Sequence, residues 1–431
     1  MGTIGTTLLH KIRSRVEQLF DDRNVGINIS NGIALAIATN LVNPYYAKFA
    51  ERLGANDYQI AYLNSLPAFV SLFALIPGAI FIDVFGNKLK TTTWFMLAHK
   101  IFFLLIAFLP LIDGVSKPWL FIILIALMNL PGAIYTMGYQ SSIGDIFSPS
   151  ERGLAMSLRN KYADLFRLGI TLLSGVMLSL PKSDDQIILL YQIFFFVSFI
   201  FGIWEVTSFA KFTTKAPLEG RDTGDALKKT WSAIKVSLRF TLTDKTFKLF
   251  MVASLIFHFG WQMGWPLFNI YTISKLGANE MWLSAISIAS GLASILTATH
   301  WAKFADKRGN PLAAFIATFG MSITPILYVL SESLTMLVLF NLLIGFSITG
   351  TTLVLFNLLL EATPTKNRTT IIAFYNTLIA VSATIAPVIG VWIMEQTSLD
   401  MSLIITGGLR FLGCLAFFFM SRVIVAKAHE S

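Results

Sequence analysis

Stretches of about twenty apolar residues, each nearly free of charge, alternate along this chain with short polar segments. A helix of about twenty residues covers the roughly 30 Å of hydrocarbon in a bilayer. Backbone groups find no water there to bond, so such stretches must be helical. Twelve are predicted, beginning near Val25, Tyr58, Thr91, Pro118, Gly153, Ile187, Phe247, Met281, Pro311, Leu334, Thr369 and Met401. Two other segments are patterned differently. In "TTLLHKIRSRVEQLF", Leu8, Ile12, Val16 and Leu19 share a helical face while Lys11, Arg13 and Arg15 lie elsewhere, as expected of a helix resting on an anionic membrane surface. The stretch "ALKKTWSAIKVSL" repeats the spacing with Leu227, Trp231, Ile234 and Leu238. An ordinary amphipathic linker helix explains either segment equally well.

Composition narrows the class. Hydrophobic residues make up 55% of the 431 and charged residues 13%, with a mean hydropathy of +0.68. That balance excludes a soluble globular chain and predicts an all-α polytopic membrane protein. With both termini in the cytoplasm, 25 of the 33 Lys and Arg fall on the inside, 5 outside (Lys48, Arg52, Lys117, Lys182, Lys275) and 3 within spans (Lys100, Arg167, Arg410). This asymmetry sets the orientation of a multi-pass protein of the cell's inner (plasma) membrane. The net charge of +9 therefore reports topology and contact with anionic lipid, and gives no warrant for nucleic-acid binding.

The first span follows a charged stretch and lacks a small-residue cleavage pattern, so it reads as retained and not as a signal peptide. A lone cysteine, Cys414, offers no disulfide framework or thiolate metal site, and five scattered histidines form no ligand cluster. No G-x-x-x-x-G-K-[ST] loop is present to cradle nucleotide phosphates. Neither a metal nor a cofactor is expected. The sequons at Asn28 and Asn367 fall on the inner side and read as chance matches.

The chain also repeats itself. "LGAND" ends at Asp57 and "LGANE" at Glu280; Asp83 and Asp306 each follow 26 residues later, with Gly86 and Gly309 three beyond them. At an offset of 216, "DIFSPSERGLAMSLRN" aligns with "EATPTKNRTTIIAFYN", matching Asp145 with Glu361, Arg152 with Arg368 and Asn160 with Asn376. The expected organisation is an N-terminal cytoplasmic amphipathic segment (1–24) and two pseudo-symmetric six-helix halves (25–211 and 247–431). A basic cytoplasmic connection (212–246) joins them. Paired halves of this kind bind solute near the midplane, between the repeats.

These repeated loops resemble the signature of the major facilitator superfamily, G-x-x-x-D-x-x-G-x-[RK], with its weaker copy in the second half. Asp83, Gly86 and Lys88 match the first copy, and Asp306 and Gly309 the second; Ala79 and Ala302 stand where the first glycine belongs. The resemblance spans roughly Val25 to Val425 and implies twelve transmembrane helices in the major facilitator fold, with helix 2 on helix 11 and helix 5 on helix 8. It further implies a cytoplasmic gate of Asp83, Gly86, Lys88, Arg152, Asp306, Gly309 and Arg368. In that gate Asp83 meets Arg368 and Asp306 meets Arg152 when the cytoplasmic side is closed. The residues alone support a more modest role: a carboxylate stabilises a neighbouring helix N-terminus by about 0.3–1 kcal/mol and can bond an arginine, and glycine permits a tight turn. A static cap and loop staple is the competing reading.

Asymmetry between the halves points to the cargo. Asn160, Asp164, Arg167, Thr171 and Ser174 lie on one face of the fifth span, yet Asp164 and Arg167 align with Ala380 and Ala383. Charges at span centres cost about 2.5–3.5 kcal/mol on insertion scales and normally face a partner or a cavity. A self-satisfied ion pair at i, i+3 is the alternative to a solute site. A second stripe runs along the seventh span with His258, Gln262, Trp265 and Asn269, and Trp261 beside it. The resemblance implies that helices 1, 4, 7 and 10 line the cavity. They would supply Asn40, Asn43, Asn129, Thr136, Gln140 and Asn341, with Pro44 bending helix 1. Together with Asn160, Arg167 and Asn376, these amides, hydroxyls and aromatic faces suit a polar solute. Interhelical hydrogen bonding explains any one of them singly. Lys100 and Arg410 fall in spans that the resemblance places at the periphery, with partner charges or snorkelling expected. Groups able to carry a coupling proton are Asp164, first among them, then Glu205 and His258.

The expectation is a monomeric secondary active transporter that moves a small polar solute by alternating access with proton coupling. Arg167 suggests an anionic solute. Its rivals are a proton-driven efflux pump for amphipathic drugs and a transporter-like lipid translocator or solute sensor. No nucleophile, base and oxyanion group can be placed together, so no enzyme is expected.

Overall fold

The structure, a computed structural model, describes residues 22–84, 87–213, 238–241, 243–364 and 368–430, with the backbone alone over 75–84, 149–150, 246, 369–370 and 420–430. The surface segment up to Phe20 and most of the Leu227 to Leu238 stripe thus lie outside the described residues. Among the described residues twelve long helices follow in order. The first half comprises α1 (Arg23–Arg52), α2 (Asp57–Val84), α3 (Lys88–Phe108), α4 (Lys117–Ile146), α5 (Pro149–Ser179) and α6 (Asp184–Ala210). The second comprises α7 (Lys245–Ile270), α8 (Glu280–Arg308), α9 (Asn310–Val329), α10 (Leu334–Ala362), α11 (Arg368–Gln396) and α12 (Leu399–Glu430). Among the described residues ten of these are long and apolar enough to cross a membrane. In α7 the stripe of His258, Gln262 and Asn269 dilutes the apolar run.

Local chemistry explains where the helices begin and end. Asn87, Ser183, Asp244, Asn279 and Ser333 each accept a backbone N–H in the first turn of the following helix, satisfying donors that a helix N-terminus leaves open. Ser148 and Glu151 form a reciprocal capping box on α5. The doubled LGAN stretch is the same device used twice. Gly54 and Gly277 take positive φ of 92° and 66°, ending one helix, while Asn56 and Asn279 start the next by accepting from Gln59 and Trp282 N–H groups. At the first copy, the Gly54 and Ala55 N–H groups donate to Glu51 and Ala50 carbonyls at 2.8 and 2.9 Å, the double bond of a Schellman motif. Pro44 breaks α1 into a 3-10 turn at Asn43–Tyr45. Gly309, with φ of 84°, makes the turn between α8 and α9.

Helix packing carries the duplication into three dimensions. In the first half α1 lies on α5 and α6, α2 on α4, and α3 on α4 and α6; in the second α7 lies on α11 and α12, α8 on α10, and α9 on α10 and α12. Adding six to each number in the first set produces the second. Between the halves α2 packs on α11 and α5 on α8, as the family resemblance implies. An aromatic cluster of Phe49, Phe121, Tyr191 and Phe195 fills the first half near the α1–α2 loop, with ring centroids 4.7–5.4 Å from Phe49. Phe250, Phe257, Tyr375 and Phe417 form a separate cluster in the second half, at the start of α7. Large side chains such as Leu105, Leu172, Leu296, Leu343 and Phe419 stay exposed on the outside, where lipid meets them.

Small residues let α8 and α10 approach. A Cβ on Gly345 would stand 2.3 Å from the Ser290 carbonyl oxygen, whereas one on Gly169 would meet nothing within 4 Å. Gly345→Ala should therefore destabilise the purified protein by about 1–3 kcal/mol through overpacking. Gly169→Ala should leave its melting point unchanged or slightly raised. Thermal unfolding of both variants in detergent checks the contrast.

Candidate functional site: the cavity between the halves

A cavity of about 620 Å³ lies where the halves meet, lined by residues of α1, α2, α3, α4, α7, α8, α9, α10 and α12. That size suits a small-molecule ligand. Its polar lining includes five asparagines, Asn43, Asn64, Asn129, Asn269 and Asn341, with Tyr46, Tyr135, Tyr328, Ser287 and Thr324; Trp261, Trp265 and Phe268 supply flat apolar faces. The amides of Asn129 and Asn341 are each oriented by one N–H donated a turn back, to the Ile125 and Leu337 carbonyls at 2.8 Å. The Asn129 amide keeps a second N–H and two acceptor lone pairs with which to meet a polar solute, while Asn341 also hydrogen-bonds Tyr328.

Of the residues read from the sequence as a solute site, Asn43, Asn129, Trp261, Trp265, Asn269 and Asn341 come together on this wall. The others do not line it. Asn40 bonds back to the Ala36 carbonyl at 2.9 Å, and Thr136 bonds the Gly132 carbonyl while Gln140 is exposed. Asn160 and Asn376, matched by the repeat, are both exposed. Gln262 sits partly buried off the wall. His258 stacks on Trp261 and hydrogen-bonds through Nδ1 with the Ser254 carbonyl at 2.9 Å, beside Tyr375 of α11. Arg167 pairs with Asp164 at 3.1 Å and abuts Gly291 of α8, so the charged face of α5 meets the opposite half and not the cavity. Farther along that face Thr171 and Ser174 are buried, with Tyr45 hydrogen-bonded to both.

The wall also contains residues that the sequence stripes missed. Asn64 of α2, His99 of α3, Ser287 of α8, Thr324 and Tyr328 of α9, and Arg410 of α12 all border it. Restricting the lining to helices 1, 4, 7 and 10 is thus too narrow, and α3 and α12 are not wholly peripheral. Arg410 neither snorkels nor meets a carboxylate among the described residues: it is fully buried and donates to the carbonyls of Gly260, Met321 and Trp261 at 3.0–3.2 Å. Pro325 has no N–H to give to Met321 four residues earlier, and Arg410 supplies the missing donor. Lys100 does meet a partner charge. Its ammonium lies 2.7 Å from the Glu205 carboxylate, both fully buried, directly behind His99 and Tyr135. Gly202 leaves room for the lysine stem, since a Cβ there would stand 2.8 Å from its Cδ.

At the face bearing the termini, the side chain of Asp83 and all of Gly86 lie outside the described residues. Lys88 pairs with Asp145 at 3.1 Å within the first half. Asp306 is exposed and makes no ion pair among the described residues, so the expected contact with Arg152 is not formed. Arg152 donates instead to the Gly144 carbonyl at 2.9 Å, and Arg368, its repeat partner, to the Thr363 carbonyl at 3.3 Å. Each arginine caps the C-terminal carbonyls of the preceding helix, where the helix dipole favours a cation. The opposite face is stitched across the halves. Arg52 clasps Glu280 through two N–H groups at 2.6 and 3.1 Å and also reaches Asp184. Tyr191 donates to Glu280, and Tyr45 bonds Ser284 at 2.6 Å.

Residues 29–160 and 250–430 match the sequence profile of the Major Facilitator Superfamily, and the chain belongs to that family. None of the curated proteins compared with the sequence matches it. Among solved structures, it is similar to a POT family transporter in complex with a thioalcohol-conjugated peptide, with a TM-score of 0.70 at 12% identity, covering 93% of this chain and 96% of that one. The nucleoside transporter NupG gives a TM-score of 0.66 at 12% identity, covering 91% and 98%. A POT family transporter in complex with 5-aminolevulinic acid gives 0.66 at 13%, covering 94% and 96%. At these identities the likeness concerns the fold. The chain is a multi-pass membrane protein with the major facilitator fold, of a family of transporters.

The buried Lys100–Glu205 pair makes a quantitative prediction. Glu205→Gln leaves a buried ammonium without its counter-charge and should cost about 3–5 kcal/mol, whereas the double variant Lys100→Met with Glu205→Leu should recover most of that loss. Melting points of the three proteins in one detergent provide the comparison.

Proposed function

We propose that the protein is a secondary active transporter that carries a small polar solute through the central cavity by alternating access. The observation that carries this reading is the asparagine-rich cavity at the junction of two pseudo-symmetric halves, with the halves joined by an ion-pair clasp at one face. The functional halves are 25–211 and 247–431, with 212–246 as the connection, working as a monomer. With the termini in the cytoplasm of a cell's plasma membrane, the clasp of Arg52 and Glu280 closes the outer face, and the cavity serves the inner one. Exchange then requires the clasp to open and an inner gate, built around Asp306, Arg152, Asp83 and Arg368, to close.

Proton coupling falls to Glu205. Its carboxylate is fully buried just behind the cavity wall, 2.7 Å from the Lys100 ammonium. Asp164 is half-exposed beside Arg167, and His258 is committed to a backbone carbonyl, so both are weaker choices. The solved neighbours are in complex with a thioalcohol-conjugated peptide or 5-aminolevulinic acid or are, by name, a nucleoside transporter, and the polar groups of such solutes would be served by this wall. One observation favours efflux of amphipathic compounds instead: the faces of Trp261, Trp265 and Phe268 on the same cavity.

Thermal stability against dipeptides, nucleosides, sugars, amino acids, organic acids and lipophilic cations tests the assignment, because a ligand at about 100 times its dissociation constant stabilises by about 2.7 kcal/mol. A polar solute should raise the melting point, and Asn129→Leu or Asn269→Leu should abolish the rise. Stabilisation by lipophilic cations alone, insensitive to both substitutions, would replace this reading with drug efflux. The clasp has its own test. In a Cys414→Ser background, Asn64→Cys should react slowly with an impermeant maleimide from outside. Arg52→Gln, removing about 1.5–3 kcal/mol from the closed outer face, should raise that rate roughly tenfold to a hundredfold.

A further inference from the structure

We propose that Arg410 is the anion-recognition residue of the cavity, and that the transported solute carries an oxyanion group, a carboxylate or a phosphate. The proposal rests on the transport reading above and names the charge of its solute. Arg410 is fully buried, yet it belongs to the cavity wall. No aspartate or glutamate lines that cavity, and no ion pair to Arg410 exists among the described residues. Of the other membrane-embedded cations, Lys100 pairs with Glu205 and Arg167 with Asp164, while Arg159 meets the Asn31 amide and the Tyr139 ring and does not line the cavity. The cavity wall is therefore left with one uncompensated positive charge.

Holding helices together does not explain that charge. The three carbonyls of Gly260, Trp261 and Met321 need hydrogen-bond donors, which a neutral amide could supply in part. A guanidinium has five N–H groups, of which these carbonyls occupy three, and no described acceptor takes the others. The arrangement fixes the fork rigidly while leaving its charge unanswered. The guanidinium carbon lies 5.2 Å from the centre of the Phe268 ring, which packs on Tyr328 at 4.3 Å, and both rings border the cavity. Gly264 permits the approach, since a Cβ there would stand 2.5 Å from Nη2. Lys100 of α3 and Arg410 of α12 are treated differently: α6 sets a carboxylate against the lysine, while the arginine meets carbonyls of α7 and α9 and the Phe268 ring, with no carboxylate among the described residues. A planar, permanently charged fork suits an oxyanion better than a neutral amide or an alcohol.

The test uses the full-length purified protein and matched probes: small monocarboxylates and phosphomonoesters, each beside its neutral amide, methyl ester or parent alcohol. Melting shifts and equilibrium binding are measured for the wild type, Arg410→Gln, Arg410→Lys and Asn269→Asp. The anionic members should bind more tightly than their neutral partners, and the preferred member decides between carboxylate and phosphate. Arg410→Gln should weaken anion binding by about tenfold to a hundredfold while sparing neutral partners, and Arg410→Lys should fall between. Asn269→Asp leaves Arg410 in place but adds a carboxylate to the same wall, and it too should suppress anion binding; it decides the matter if Arg410→Gln does not fold. Equal binding of anionic and neutral partners, unchanged by Arg410→Gln or Asn269→Asp, would reduce Arg410 to a helix staple and overturn the proposal while leaving a polar-solute transporter standing. Stabilisation by lipophilic cations alone would overturn the polar-solute reading and this inference together.

Discussion

A polar group placed in hydrocarbon must find its partner inside the protein, and that requirement organises this molecule. It makes every span a helix, because a helix satisfies its own backbone. It also accounts for the exceptions. Where Pro325 leaves the Met321 carbonyl without its helical donor, Arg410 arrives from α12; where α4 and α10 end, Arg152 and Arg368 donate to the last carbonyls. Lys100 is buried only in company with Glu205. Among the described residues Arg152, Arg368 and Arg410 answer backbone carbonyls and Arg52 and Arg167 carboxylates, which is why charge counting alone misjudges their roles.

Duplication supplies a scaffold, and departures from duplication supply chemistry. Helix contacts repeat with a shift of six, and both LGAN stretches end one helix and start another. The acid that follows each stretch marks the difference. Glu280 takes Arg52 across the halves, a contact for which Asp57 has no counterpart among the ion pairs of the described residues. At the face bearing the termini, the repeat partners Arg152 and Arg368 each cap their own half instead of bridging. Among the described residues the ion pair that joins the halves, Arg52 with Glu280, lies at the face opposite the termini.

The candidate site was only partly legible. Periodicity along α7 picked out Trp265 and Asn269 correctly as neighbours on one face, and Asn43, Asn129 and Asn341 were found as amides in otherwise apolar spans. The same logic misplaced the charged face of α5, because a helical stripe specifies an azimuth and not the neighbour that covers it. In α5 the cover is α8, so Arg167 meets Gly291. Thr136 and Gln140 follow Asn129 in register, yet both are exposed and neither borders the cavity, whereas Tyr135, one residue before Thr136, does. Asn64 stood in the second span without a stripe to announce it.

By itself the sequence determined what depends on near neighbours and on solvent: twelve helices, their caps and turns, the two-fold repeat and the membrane as surroundings. Hydropathy, capping and glycine conformation act over a few residues, so they can be read in order along the chain. Only the tertiary structure decided which of the polar residues share a cavity, that Lys100 and Glu205 meet across 105 positions of sequence, and that Arg410 borders the cavity without a counter-charge. Those outcomes depend on which helix packs against which and at what depth, and lipid imposes no preference among apolar faces that would reveal it in the sequence.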